Sequence, residues 1–137
     1  MRISKGKPVF GRKDTVGFNT LAEIIHAWLV KFRDDYISRG IYSVPHDLAD
    51  ECGDKAQEKY LEIIDKMIYA FADVEPEYAG EISITSEPIE GSEYHRLHTH
   101  VSDQEAWDQY TKDCDEHGKK VEEGLKLFGK YFRSLWV

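Results

Sequence analysis

Along residues 20–39 the apolar side chains fall at Leu21, Ile24, Ile25, Trp28, Leu29, Phe32 and Tyr36. Steps of three and four keep all of them on one face of a helix. Asn19 suits the N-cap in front of this run, and Gly40 stops it. A second helix is predicted at about 55–73, opened by Gly53-Asp54 and followed by Pro76. Counting about 100° per residue from Ile64, the side chains of Tyr60, Leu61, Met67, Ile68 and Phe71 lie within about 60°. Glu58, Glu62, Asp65 and Tyr69 gather on another side, at roughly 100–160°. A third run begins at Ser102-Asp-Gln-Glu105, a capping-box pattern. Trp107, Tyr110, Cys114, His117, Val121, Leu125, Phe128, Phe132 and Leu135 then step by threes and fours. The spacing predicts a helix over about 102–135, bent near Gly118. Gly124 and Gly129 each cost such a helix about 1 kcal/mol relative to Ala, which close approach of another backbone, within the fold or across an oligomer interface, would offset.

Between the second and third helices the period changes. Glu81-Ile-Ser-Ile-Thr-Ser86 alternates apolar and polar residues, and Pro88 and Gly91 break the alternation. Tyr94-His-Arg-Leu-His-Thr-His-Val101 is suited to the return strand of a hairpin, with a structured loop as the alternative. Pro45 keeps residues 41–54 out of a long helix and leaves room for a short turn at 47–52. Gly6, Pro8, Gly11 and Gly17 make residues 1–18 an arm with one short strand near Val9-Phe10. The expected fold is therefore mainly α. It has a three-helix core (about 20–39, 55–73 and 102–135), with a β-hairpin or structured loop inserted at about 80–101. Residues 19–137 read as one helical domain behind a basic N-terminal arm at 1–18.

A chain of 137 residues buries roughly two thirds of its unfolded surface and needs no disulfide or metal to fold. The net charge of −8 is unevenly placed. Arg2, Lys5, Lys7, Arg12 and Lys13 carry the first 13 residues with no acid among them, so the remainder nets −13. Such a surface repels phosphates and disfavours binding to duplex nucleic acid. Along the chain the acids are interspersed with Lys and Arg, which also argues against mimicry of a DNA phosphate track. Cys52 and Cys114 form no CxxC and read as two reduced thiols. No apolar run approaches the ~18 residues of a membrane span, and no apolar segment follows the basic start as in a secretory signal. A cytoplasmic protein with no membrane partner is expected.

Two groups of residues suggest chemistry. Glu58, Glu62 and Asp65 place carboxylates on successive turns, a set of hard oxygen donors of the kind Mg²⁺ takes. Glu62-x-x-Asp65 resembles one half of the site of the all-α MazG-type nucleotide pyrophosphohydrolases, in which a Glu-Glu-x-x-Glu helix faces a Glu-x-x-Asp helix around Mg²⁺ and a triphosphate. The first helix offers only Glu23 and Asp34-Asp35 as a counterpart. A solvated acidic face accounts for the same stripe. The second group is His95-Arg-Leu-His98-Thr-His100. On a strand, His98 and His100 share a face while His95 points the other way, so three imidazoles do not converge on one ion. His100-Val-Ser102 resembles one His-x-Ser/Thr element of the 2H phosphoesterases, but the second element such enzymes need is missing. There is no Gly-x-Ser-x-Gly and no phosphate-binding glycine loop. The residues best suited to a ligand are Tyr94, His95, Arg96, His98, His100 and Trp107, whose cations would meet phosphates while the aromatic rings stack on bases. The dense aromatic end, Leu127 to Trp136, fits core packing or a homo-oligomer interface.

The segment from Glu62 to Phe71, the segment from Glu123 to Trp136, and Leu29-x-x-Phe32 together resemble a group of small uncharacterised proteins encoded by tailed bacteriophages. The matching positions are mostly core-forming. The resemblance implies an accessory protein of the infected host's cytoplasm that acts by binding rather than catalysis. It would sequester a nucleotide-type signal of host defence or block a host protein, and it would need no cofactor. The alternative is a Mg²⁺-dependent hydrolase using Glu58, Glu62 and Asp65.

Overall fold

A computed structural model describes residues 2–4, 7–9, 18–41, 43–49, 53–72 and 74–135. It is mainly helical. The order is β1 (Arg2–Ser4), β2 (Lys7–Val9), α1 (Phe18–Ser38), a 3₁₀ turn at His46–Leu48, α2 (Asp54–Ala70), β3 (Ile82–Pro88), β4 (His95–Val101), α3 (Gln104–Tyr131) and a 3₁₀ turn at Phe132–Ser134. The insert is a hairpin: β3 and β4 pair antiparallel from Ile82↔Val101 to Pro88↔His95. The N-terminal arm carries two short paired strands where one was expected, with Arg2 opposite Val9.

Two compact units divide the chain. The first takes residues 1–74 and 119–137, the second residues 75–118, and α3 runs unbroken through Gly118 from one into the other. In the first unit only part of the apolar stripes becomes the core, and Leu21, Ile24, Trp28, Leu125 and Phe132 stay exposed. Leu29, Phe32 and Tyr36 of α1 pack with Tyr60, Ile63, Ile64 and Met67 of α2, joined by Leu48, Phe71, Tyr131 and Leu135. Aromatic rings link the elements: Phe32 stacks toward Tyr36, Tyr36 meets Tyr60 edge-on at 5.5 Å, and Phe71 meets Phe128 edge-on at 4.9 Å.

The buried phenols keep hydrogen-bond partners. Tyr36 donates to the Ser43 carbonyl, Tyr60 to the Ser134 carbonyl and Tyr131 to Asp47. Burial pushes the Tyr60 phenol up to about 12. Asp47 also pairs with Lys130 at 2.6 Å, and these contacts hold its carboxyl below the usual range, Lys130 first and Tyr131 second.

Glycine has two distinct uses here. Gly40, at φ 60°, ends α1 with the paired bonds Ile41 N–H to Tyr36 O and Gly40 N–H to Ile37 O. That is the Schellman pattern, which a left-handed residue makes possible. At Gly124 a Cβ would run into the Lys66 carbonyl oxygen and sit 2.5 Å from the Ala70 Cβ, so α3 touches α2 through its bare backbone. Gly129 has nothing within 4 Å, so among the described residues no other backbone of this chain approaches it.

The start of α3 differs from the capping box read in the sequence. Asp103 is the N-cap, its carboxylate accepting from the Ala106 N–H at 3.0 Å. The Ser102 hydroxyl is drawn away to the Glu81 N–H at 2.8 Å, where it closes the base of the hairpin. The thiol of Cys52, the packing of Trp136 and the Phe10 end of the strand expected near Val9-Phe10 lie outside the described residues.

Candidate functional site

The second unit holds the hairpin and the first half of α3. Ile82, Ile84 and Thr85 are β-branched and favour the extended chain. Gly91, at φ 77°, supplies the left-handed residue of the connection, and Ile89 N–H to Tyr94 O closes it at 3.1 Å. At the base, Ser102 N–H to Glu81 O and Glu81 N–H to Ser102 Oγ tie the two ends together. Gly80 lies next to this knot. A Cβ there would collide with the Tyr78 hydroxyl and come within 2.8 Å of Ser102 Oγ.

The register sorts the side chains. Residues directly opposite one another share a face. One face carries Ser83, Thr85 and Glu87 opposite His100, His98 and Arg96. The other carries Ile82, Ile84, Ser86 and Pro88 opposite Val101, Thr99, Leu97 and His95. The polar face is cross-linked by diagonals. His98 Nε2 donates to Glu87 at 3.1 Å, and His100 Nε2 hydrogen-bonds Thr85 Oγ1 at 3.0 Å.

The apolar face is bare. Ile84 is 65% exposed and Leu97 66%, and Ile82 is less open at 49%. Only His98 and Val101 of the two strands are even half-buried. An isolated two-stranded hairpin is marginal in water, and one that also shows its apolar side chains to solvent is a surface suited to being covered. Sequence reasoning singled out the histidines and missed Ile82, Ile84 and Leu97. The signal was the same period-2 alternation: it predicts an apolar face, and no segment of the sequence was assigned to cover it.

The six expected ligand residues do not meet at one place. Arg96, His98 and His100 share the polar face, whereas His95 lies on the apolar one. Tyr94 is 76% exposed beside the hairpin turn. Trp107 lies past the other end of β4, six residues or roughly 20 Å of extended strand from His95 to Val101. There it joins an aromatic cluster with Tyr78 and Tyr110, at ring separations of 5.2 and 5.4 Å. The Tyr78 hydroxyl both accepts from the Asp103 N–H and donates to its carbonyl, which anchors this cluster to the start of α3.

The carboxylate stripe of α2 belongs to the first unit. Asp65 is held by the Arg33 guanidinium through both oxygens, with Arg33 Nη2 to Oδ2 at 3.1 Å. Lys66 pairs with Glu123 at 2.6 Å, and Glu58 and Glu62 are exposed. Among the described residues no group of three His, Cys, Asp or Glu is placed to hold a metal ion. Asp65, Lys66, Tyr69, Lys120 and Glu123 line a cavity of about 340 Å³, with the Lys120 ammonium 5.9 Å from the Tyr69 ring centre. A second cavity of about 340 Å³ is apolar, lined by Ile24, Ile25, Trp28, Phe128, Phe132 and Leu135. No described helix is long and apolar enough to cross a membrane. Comparisons with protein-family models, with curated proteins and with solved structures find no match to this chain.

Proposed function

We propose that this chain works by binding a protein, with the apolar face of the β3–β4 hairpin as the contact, and that it is an accessory protein of bacteriophage type that blocks a protein of its host. The observation that carries this reading is the exposure of Ile84 and Leu97, at diagonal positions of one hairpin face that nothing in their unit covers. Burying a side chain of that size is worth about 1.5–3 kcal/mol, so three of them supply the centre of an interface. The open outer edges of a two-stranded sheet add main-chain donors and acceptors to the same surface.

Capture of a nucleotide-type signal is the second reading, supported by Arg96, His98 and His100 sharing one face. It uses the opposite side of the same hairpin, so the two readings separate by mutation. Mg²⁺-dependent hydrolysis through Glu58, Glu62 and Asp65 has less support, because Asp65 is already engaged by Arg33.

The test compares the wild-type chain with Ile84→Lys/Leu97→Lys and with Arg96→Ala/His98→Ala, all checked for unchanged circular dichroism. Co-purification of a defined host protein should be lost in the first variant and kept in the second. A nucleotide-dependent thermal shift lost only in the second would contradict the protein-binding reading, and Mg²⁺-dependent turnover abolished by Glu62→Gln would replace both.

A further inference from the structure

The charge of the second unit identifies the chemistry of what covers its bare face. Residues 75–118 hold twelve Asp and Glu against only Arg96 and Lys112, a net of −10, while the rest of the chain nets +2. All twelve carboxylates are on exposed residues. Three of them flank the hairpin in sequence, Glu81 at its base and Glu90 and Glu93 at its turn, and most of the others follow on or beside α3. The sequence as a whole interleaves acids with Lys and Arg, yet the basic residues of that mixture fall almost entirely in the other unit.

We infer that the partner docked on the Ile82/Ile84/Leu97 face is a basic protein surface, an apolar patch ringed by Lys and Arg. The inference rests on the docking reading above and adds the sign of the partner. Charges of one sign around an apolar centre steer an oppositely charged partner and penalise a like-charged one. A second copy of this chain is disfavoured at the face, because a two-fold contact would bring two units of −10 against each other. Anionic nucleic acid meets the same repulsion.

Three short synthetic peptides of alternating residues serve as probes: Lys–Val, Glu–Val and Lys–Ser. Each is titrated into the full-length protein by calorimetry at low and at high salt, since screening shortens the range of surface charge to about 8 Å at 0.15 M and about 3 Å at 1 M. The Lys–Val peptide should bind at low salt, weaken by about tenfold or more at high salt, and lose binding in Ile84→Lys/Leu97→Lys. Ile84→Thr/Leu97→Thr, which keeps strand-forming residues and adds no charge, should lose it as well.

If Glu–Val binds as tightly as Lys–Val and both depend on Ile84 and Leu97, the basic-partner inference falls and the apolar docking face stands. If Lys–Ser binds as well as Lys–Val and ignores the substitutions, the attraction is polyelectrolyte alone and the inference falls with the face. It is also overturned if no peptide binds, or if sedimentation shows a dimer that Ile84→Lys/Leu97→Lys converts to monomer. That last result makes a second copy the occupant.

Discussion

At position 124 a methyl group would meet the Lys66 carbonyl oxygen and the Ala70 side chain, so the distance between α2 and α3 is set by a missing atom. Backbone oxygen cannot move aside as a flexible side chain can. Gly124→Ala should therefore destabilise the fold by about 1–3 kcal/mol, the range for overpacking a filled contact. Gly129→Ala, with open space around it, should instead stabilise α3 by up to about 1 kcal/mol. Urea unfolding of the two variants measures both, and a stabilised Gly124→Ala would mean that α3 does not meet α2 as described. Tyr60 gives the chain a pH signature at the same scale. Its phenol, ordinarily near 10, is pushed up to about 12 by burial. A raised pKa in the folded state means full stability below the unfolded value of about 10, lost progressively as pH climbs toward about 12. Tyr60→Phe removes that titration. The wild-type urea midpoint should fall relative to that of Tyr60→Phe between those pH values, and parallel curves would contradict the burial of this hydroxyl.

Among the elements, the helices were legible because each repeats its apolar residues at helical spacing, and that spacing survives in the sequence even where Leu21, Ile24, Trp28 and Leu125 are left exposed. Leu29, Phe32, Tyr36, Tyr60, Ile64 and Met67 are all in the core, as their spacing implies. The hairpin was legible as one of two alternatives, since alternation in a short segment does not reveal whether its partner strand will pair. What escaped was local competition for hydrogen bonds. Ser102 and Asp103 both suit an N-cap, and the choice was made by Glu81, a residue distant in sequence that takes the Ser102 hydroxyl. Asp103→Ala should accordingly cost about 1 kcal/mol of helix stability. Ser102→Ala should leave α3 intact and speed amide exchange at Glu81 and the adjoining end of β3. Equal effects of the two substitutions on α3 would restore the capping box to Ser102. The candidate site was half visible for a related reason: the sequence marks the histidines by their rarity, whereas Ile84 and Leu97 look like ordinary core residues until the fold leaves them uncovered.

For the whole molecule, the division into units changes what the net charge means. Averaged over the chain, −8 describes a mildly acidic protein; divided at residues 75 and 118, it becomes −10 on the hairpin unit and +2 elsewhere. Sequence order hides this because α3 passes from the acidic unit into the other without a break. An exposed apolar face on a strongly acidic unit is the feature from which binding follows, and one side of the hairpin is the side touched. Positions 83 and 84 are neighbours that point to opposite faces of β3. A photo-crosslinking amino acid placed at one or the other, in the cells where the chain naturally acts, reads out that difference directly. The account predicts a discrete crosslinked protein from position 84, absent from position 83 and abolished by Leu97→Lys. Crosslinking of equal yield from both positions, or from position 83 alone, would contradict it.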